Sequence, residues 1–184
     1  MKKNNDIFYD LFRFGDGISY LYFIKKYRYD VGFKYMVYWR LALKTNKILR
    51  KYCIWKLRNI SFKTGIEIPL TASIGKGIRM IHPYNITINS KAIIGKNFTI
   101  LKGATIGNIK SGSKKGAPYI GNNVYVGLNS TIVGNIRIGD NVLIASNSFV
   151  NQDIPSDSLV IGNPVRIISN NNATKHYVEN RINE

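Results

Sequence analysis

Few residues of this chain could do chemistry at neutral pH, and His82 is the most informative of them. The sequence contains two histidines, His82 and His176, and one cysteine, Cys53. An imidazole has a reference pKa near ~6.5, so it can accept and return a proton at neutral pH. The two histidines and the cysteine are not spaced as metal ligands are, and we expect no metal site. His82 therefore predicts acid–base chemistry, whereas His176 lies in a polar segment without supporting residues.

The residues around His82 must be positioned by a fold with a six-residue period. A short strand and a tight turn make one side of a triangular coil of about 18 residues, and stacked coils form parallel sheets. The pattern predicts a mainly β fold, a parallel β-helix over residues 65–168; the alternative, a β-sandwich, would show a period of two. The period is carried by Ile or Val at every sixth position, in two runs: Ile88, Ile94, Ile100 and Ile106, then Ile120, Val126, Ile132, Ile138, Ile144 and Val150.

Residues 1–64 have a different composition and predict a basic, aromatic-rich α-helical region. Apolar residues recur at helical spacing across residues 33–57. This region contains 15 Lys or Arg against four Asp, within a chain whose net charge is +17. Such an excess indicates an anionic partner: a membrane surface, a phosphorylated ligand, an acidic glycan or nucleic acid. Residues 169–184 are interpreted as a polar C-terminal tail.

Two hexapeptides, residues 94–99 and 138–143, follow the pattern [LIV]-G-x-x-x-x. Through them, residues 65–168 resemble the left-handed β-helix acyltransferases. The resemblance implies a left-handed β-helix, a homotrimer, and acetyl-CoA as co-substrate in a groove between neighbouring prisms. Within that family the chain resembles the serine acetyltransferase branch, and we place it closest to relatives from capsule and exopolysaccharide gene clusters.

Two breaks in the period match the serine acetyltransferases. Met80 and Ile88 are eight residues apart, and the expanded turn between them contains His82, at the position of the family's catalytic histidine. Ile106 and Ile120 are fourteen apart, which leaves an insert with the length of the family's active-site loop. The resemblance makes His82 the general base that takes the proton of an acceptor hydroxyl. The alternative is a histidine that merely occupies a corner turn.

The family also supplies an acidic partner for this histidine, fifteen positions earlier, which here is Glu67. Its carboxylate would orient the imidazole and stabilise the imidazolium. Where the family usually has aspartate, this chain has the longer glutamate. The alternative is a solvated glutamate at the junction between the helical region and the β-helix.

The resemblance further implies the residues that hold acetyl-CoA. Gly127, Ala145 and Ser146 fall where backbone groups line the pantetheine arm. Residues 161–167 are similar to the family's closing motif, in which Pro164 borders the groove and Arg166 suits a phosphate of CoA. The alternative for Pro164 and Arg166 is a cap that ends the solenoid, and both roles are compatible.

The acceptor site departs from the serine acetyltransferases. They have aspartate directly before the catalytic histidine and an Arg-His pair near the end of the loop; here those positions are Ile81, Gly116 and Ala117. We therefore predict an O-acetyltransferase that acts on a sugar hydroxyl of a surface polysaccharide or its precursor. The alternatives are a serine O-acetyltransferase of cysteine biosynthesis and a catalytically decayed β-helix scaffold. Candidate acceptor-contacting residues are Tyr84 and Asn85 in the expanded turn and Lys114 and Lys115 in the loop.

Location is predicted from charge and from signals absent in the sequence. We identify no signal peptide and expect a cytoplasmic protein. The basic, aromatic helices could contact the inner membrane face peripherally; the alternative is a helical domain that packs on the prism with solvated charges. No nucleic-acid-binding motif is visible, so we expect no nucleic-acid partner.

Overall fold

The computed structural model describes residues 6–15, 17 and 19–182. Ser19, Asp30 and Asn46 each accept a hydrogen bond from the backbone N–H three residues later and so cap α2, α3 and α4. Because Asn46 starts a new helix, the pattern predicted across residues 33–57 is divided between two helices. Within the described residues the helices are α1 (Asp6–Phe12), α2 (Tyr20–Tyr29), α3 (Val31–Lys44) and α4 (Lys47–Thr64).

The following strands form three sheets, which we call faces 1, 2 and 3. The chain visits the faces in that order, coil after coil, and the strands within each face are parallel except for the antiparallel pair β13–β14. Face 1 contains β1 (Ser73–Ile74), β4 (Ile93–Ile94), β7 (Tyr119–Ile120) and β10 (Arg137–Ile138). Face 2 contains β2 (Arg79–Ile81), β5 (Thr99–Leu101), β8 (Tyr125–Val126), β11 (Val142–Ile144), β13 (Ser158–Ile161) and β14 (Arg166–Ser169). Face 3 contains β3 (Thr87–Ile88), β6 (Thr105–Gly107), β9 (Thr131–Val133) and β12 (Phe149–Val150).

The core of this three-sided prism is the column of aliphatic side chains that the period predicts. All ten Ile and Val positions of the two runs are at most 2% exposed. Each lies directly beside its counterpart in the next coil, as Ile100 lies beside Val126. Removal of this apolar surface from water is the main favourable term for the prism.

The prism has three edges, and two of them contain columns of residues with positive φ. Asparagine and glycine tolerate this left-handed conformation better than other residues. From residue 97 onward, the amide of each such residue donates to a carbonyl of the coil below, as Asn129 does to Lys102 (3.0 Å). The first edge, between faces 1 and 2, has Gly77, Asn97, Asn123, Asn141 and Asp157; the second edge, between faces 2 and 3, has Gly65, Asn85, Gly103, Asn129 and Asn147.

The helices are fastened to the first coil by polar and close apolar contacts. Arg40 of α3 donates to the carbonyls of Ile74 (2.8 Å) and Gly75 (2.6 Å). A Cβ added to Gly32 would lie 3.1 Å from side-chain atoms of Met80 and Pro83, so α3 approaches the turn that contains His82 closely. The helical region therefore forms one wall beside the candidate base.

The polar segment after β14 returns along the first edge. Asn141 donates to the carbonyl of Asn171 (2.9 Å), and the amide of Ile182 donates to Asn97 (2.9 Å). Arg13, which is fully buried, donates to the carbonyl of Glu179 (2.9 Å). The segment therefore connects the last coils of the prism to the helical region.

Candidate active site

His82 lies directly after β2, where the chain turns around the second edge in the expanded turn. Its side chain is exposed, and its φ of 50° places a bulky residue in the left-handed region. Non-glycine residues rarely adopt this conformation, and His82 shares it with the corner residues of the prism. The turn is closed by the amide of Tyr84, which donates to the His82 carbonyl (2.7 Å).

The sequence-predicted acetyl-CoA residues lie on the same edge as His82. Strand register places the residue before His82 in one column with residues of the higher coils: Ile81, Leu101, Gly127, Ala145 and Ile161. Strands in a sheet are about 4.8 Å apart, so Gly127 and Ala145 lie roughly 10 and 14 Å above the level of His82. An extended ligand on this edge would therefore pass from the imidazole to these backbone groups.

The surface of the edge at Gly127 is shaped by the absence of a side chain. A Cβ at Gly127 would lie 2.5 Å from the amide nitrogen of Ser146. The Ser146 hydroxyl accepts a hydrogen bond from the amide of Leu128 (3.1 Å), which ties the two coils together. Glycine therefore allows the close approach of these coils.

Pro164 and Arg166 continue the column at its upper end. Arg166 is the partner of Ile161 in the antiparallel pair β13–β14, and Pro164 lies in the connection between those strands. Both side chains are exposed. The structure brings the five predicted cofactor residues to one edge, in the order in which an extended ligand would meet them.

Glu67 is less directly connected to His82 than its predicted role requires. Its backbone pairs with Thr87 at the start of face 3, and its side chain points to solvent. In the described part of the chain, no hydrogen bond or ion pair joins Glu67 to His82. Glu67 instead lines a cavity of about 420 Å³ with Tyr35 and Arg58. The base–carboxylate contact therefore stays a prediction.

The four predicted acceptor-contacting residues divide into two pairs. Tyr84 and Asn85 belong to the turn of His82, and Tyr84 lines the same cavity as the imidazole. Lys114 and Lys115 lie in the insert, which leaves the third edge, between faces 3 and 1. Lys114 there donates to the carbonyl of Asn151 (2.5 Å). Within one chain, face 3 separates the two lysines from His82.

The cavity beside His82 contains charged residues that the sequence interpretation missed. It has a volume of about 370 Å³, which is in the range of small-molecule sites. Its walls come from β2, from the turn of His82 and from the junction of α2 and α3, which contributes Lys26, Tyr29 and Asp30; β2 contributes Arg79. No motif in the sequence marks these residues.

The comparisons with known proteins agree on one family. Residues 117–152 match the bacterial transferase hexapeptide family (six repeats). The serine acetyltransferase of Synechococcus elongatus is 42% identical over 105 residues, which are 57% of this chain and 43% of that protein. The Neisseria gonorrhoeae serine acetyltransferase in complex with serine aligns with a TM-score of 0.69 and 31% identity over 89% of this chain and 68% of that chain. A serine acetyltransferase in complex with CoA aligns with a TM-score of 0.70 and 26% identity, over 89% of this chain and 68% of that chain.

The chain therefore belongs to the hexapeptide-repeat transferase family and is a homologue of serine acetyltransferases. The predicted left-handed parallel β-helix with N-terminal helices is confirmed. The chain spans less than half the length of the Synechococcus relative, 43% of it.

One part of the functional prediction is wrong. The chain was placed closest to capsule and exopolysaccharide enzymes, with a sugar hydroxyl or other glycan as acceptor, but the relatives named above are serine acetyltransferases. The prediction rested on Ile81, Gly116 and Ala117, where the motif lacks groups for an amino acid. It could not include Asp30, because that residue lies outside the repeats and reaches the cavity only through the fold.

The remaining predictions concern metals and membranes. The described residues contain no group of three or more His, Cys, Asp or Glu that could hold a metal ion. None of the described helices is long and apolar enough to cross a bilayer.

Helix α4 has an exposed apolar stripe, formed by Ile48, Tyr52, Trp55 and Phe62. Peripheral membrane contact and cytoplasmic location stay predictions.

Proposed function

We propose that this chain is an acetyl-CoA-dependent serine O-acetyltransferase with His82 as general base. The observation that supports it most is the likeness to a serine-bound serine acetyltransferase over 89% of this chain at 31% identity. The exposed imidazole beside a cavity of about 370 Å³, on the edge that contains the predicted acetyl-CoA residues, is consistent with this activity.

The proposed reaction requires one proton acceptor and one acyl donor. The His82 imidazole takes the proton of the serine hydroxyl while the oxygen attacks the thioester carbonyl. The tetrahedral adduct then expels the CoA thiolate, and the imidazolium returns its proton to that sulfur. The new C–O bond replaces the C–S bond, and His82 ends the cycle neutral. The Glu67 carboxylate would stabilise the transient imidazolium.

The acetyl-CoA site of the proposal follows the second edge. The closely packed backbone at Gly127, Ala145 and Ser146 would line the pantetheine arm. Arg166 is exposed, so its guanidinium is available for charge-assisted hydrogen bonds to a phosphate. Acetyl-CoA is a co-substrate here, and the proposal includes no metal ion.

The proposal includes a homotrimer, because the site of one chain is divided between two edges of face 3. Three prisms packed side by side would bring the second edge of one chain near the third edge of its neighbour, and with it Lys114 and Lys115. The exposed apolar residues Ile93 (48%) and Tyr119 (43%) on face 1 offer surface for such packing. Light scattering after size exclusion should give three times 20.9 kDa or a multiple of this; a monomer would contradict the trimer.

The activity is tested by the thiol that the reaction releases. Purified chain should release CoA from acetyl-CoA when L-serine is added, with O-acetylserine as the product identified by mass spectrometry. L-Alanine has the same ammonium and carboxylate without the hydroxyl, and should give only the background rate. Absence of serine-dependent release, or equal release with alanine, would contradict the proposed function.

A further inference from the structure

The cavity beside His82 has charges of both signs on walls that come from different parts of the chain. The Asp30 carboxylate lies at the junction of α2 and α3, and the Arg79 guanidinium lies on β2. Lys26 adds a second cation from α2. An amino acid with a free ammonium and a free carboxylate is complementary to such an arrangement.

Asp30 has capacity for a further hydrogen bond. Its Oδ1 caps α3 by accepting from the amide of Phe33 (2.8 Å). No hydrogen bond reaches its Oδ2 within the described residues. The side chain is half-buried, so it faces the cavity from a partly desolvated position where a charge-assisted hydrogen bond is stronger than in water.

Arg79 has an unsatisfied donor in the same wall. Its Nε is buried and has no hydrogen-bond partner in the described part of the chain. Its guanidinium lies over the Phe14 ring, 5.4 Å from the centroid, and is only loosely paired with Glu179, at 3.9 Å. The Arg79 side chain is 25% exposed and lines the cavity, so its guanidinium can pair with an entering carboxylate.

We infer that Asp30 holds the ammonium and Arg79 the carboxylate of the acceptor amino acid, in place of the groups missing at Ile81, Gly116 and Ala117. The inference rests on the proposed function. It explains how an apolar residue can precede His82: the required carboxylate is supplied by the helical region. The hydroxyl of an acceptor held at both ends would lie on the His82 side of the cavity.

The test for Asp30 uses substitutions that keep the helix cap. Asparagine and serine are both good N-cap residues, so Asp30→Asn and Asp30→Ser remove the charge with little effect on α3. Each should raise the KM for L-serine roughly 10–100-fold, as expected for loss of a hydrogen bond to a charged group, with kcat and the KM for acetyl-CoA nearly unchanged. Asp140→Asn, an exposed carboxylate on the first edge and away from His82, is the matched control.

The test for Arg79 uses acceptors that lack one charge. Arg79→Gln should raise the KM for L-serine as Asp30→Asn does, while Arg79→Lys should restore part of the loss. Serine methyl ester lacks the carboxylate, and 3-hydroxypropanoate lacks the ammonium. Arg79→Gln should abolish the preference of the enzyme for serine over serine methyl ester and keep its preference for serine over 3-hydroxypropanoate. Asp30→Asn should have the opposite effect: it should abolish the preference over 3-hydroxypropanoate and keep the preference over the ester. Arg28→Gln removes an exposed cation of α2 and should change neither preference.

The outcomes separate the two proposals. Suppose that the unmodified chain acetylates serine and that the KM for L-serine of the Asp30→Asn and Arg79→Gln variants stays within about twofold of the unmodified value. The inference is then wrong and the proposed function stands. If both variants lose both preferences equally, the residues act only on folding, and the inference is again wrong. If the unmodified chain shows no serine-dependent turnover, both proposals fall.

Discussion

Arg40 and Asp10 form a two-point ion pair between helices α3 and α1, with Nε–Oδ2 and Nη2–Oδ1 distances of 3.0 and 3.2 Å. Both side chains are at most 4% exposed. Asp10 also accepts hydrogen bonds from the amides of Gly77 (2.8 Å) and Ile78 (3.0 Å), so one carboxylate joins two helices and the first coil. Burial raises the pKa of Asp10, and the charge of Arg40 acts against that rise.

Loss of one partner of this pair should be strongly destabilising. Asp10→Asn leaves the Arg40 guanidinium buried without a counter-charge, and we expect the free energy of unfolding to fall by about 3–5 kcal/mol. Urea unfolding followed by circular dichroism measures it. The exposed pair Lys44–Asp6 (2.7 Å) gives the matched control: Asp6→Asn should cost less than about 1 kcal/mol. Equal losses in the two variants would contradict the role given to the buried pair.

His82→Ala should lower kcat for serine acetylation by roughly 10²–10⁴-fold, since it removes the general base. The side chain is exposed, so the variant should stay folded, with at most a small loss of stability from alanine at a φ of 50°. His176→Ala removes the other histidine, also exposed, and should leave kcat unchanged. An unaltered rate in the His82 variant would exclude the proposed mechanism.

Glu67→Gln tests whether the carboxylate acts on the imidazole although no contact is present in a single chain. Glutamine keeps the size of the side chain and removes its charge, so the imidazolium would lose stabilisation. We expect kcat to fall about tenfold or more, by less than in His82→Ala, with an unchanged KM for acetyl-CoA. A pH–rate profile whose acid limb does not move in this variant would indicate that Glu67 is only a solvated surface residue.

Asn141 should contribute to stability in two separable ways. Its φ is 55°, and its side chain bonds Asp157, Asn171 and Thr174. Asn147 has a φ of 60° on the second edge, and its side chain makes no hydrogen bond in the described part of the chain. Asn147→Ala should therefore lower the free energy of unfolding by about 1–2 kcal/mol, because alanine is strained at a positive φ. Asn141→Ala should lower it by about 1–3 kcal/mol more, because its side-chain hydrogen bonds are also lost.

Glycine variants of the same positions separate strain from lost contacts. Asn147→Gly relieves the strain and should be nearly neutral. Asn141→Gly should still be destabilising, because the connection to the C-terminal segment is lost. Equal unfolding free energies for the two glycine variants would show that this segment does not stabilise the prism.

Cys53 should be unreactive until the chain unfolds. Its side chain is fully buried, and burial raises the pKa of its thiol. Above a pH of about 8.5 the unfolded chain loses this proton while the folded chain keeps it, so the stability contributed by this group falls as the pH rises. Ellman's reagent should react slowly with native protein and rapidly in urea. Rapid native reaction would contradict the burial, and would also add background to the thiol-release assay.

The prism could be predicted because its information is local and repeated. Each inward position depends only on its place in a six-residue unit, so Ile88 and Val150 carry the same signal although they are 62 residues apart. The two interruptions were equally visible, since a regular period makes any change of spacing apparent. His82 was predicted from one of them.

The parts that could not be predicted depend on contacts between distant segments. Arg40 reaches the carbonyls of Ile74 and Gly75, and Asp30 shares a cavity with Arg79, with no periodic pattern to connect them. The acceptor prediction used only positions 81, 116 and 117 of the family motif, and no pattern in the sequence pointed to the charges that the fold brings to the cavity.

The second edge also limits how this protein can change in length. Deletion of one entire coil would keep each inward aliphatic residue and each left-handed corner in phase, so the prism itself could still assemble. It would, however, shorten the path from the imidazole of His82 to the guanidinium of Arg166 by about 4.8 Å. The number of coils between these two residues is therefore dictated by the dimensions of the molecule that lies along them, and not by the requirements of folding.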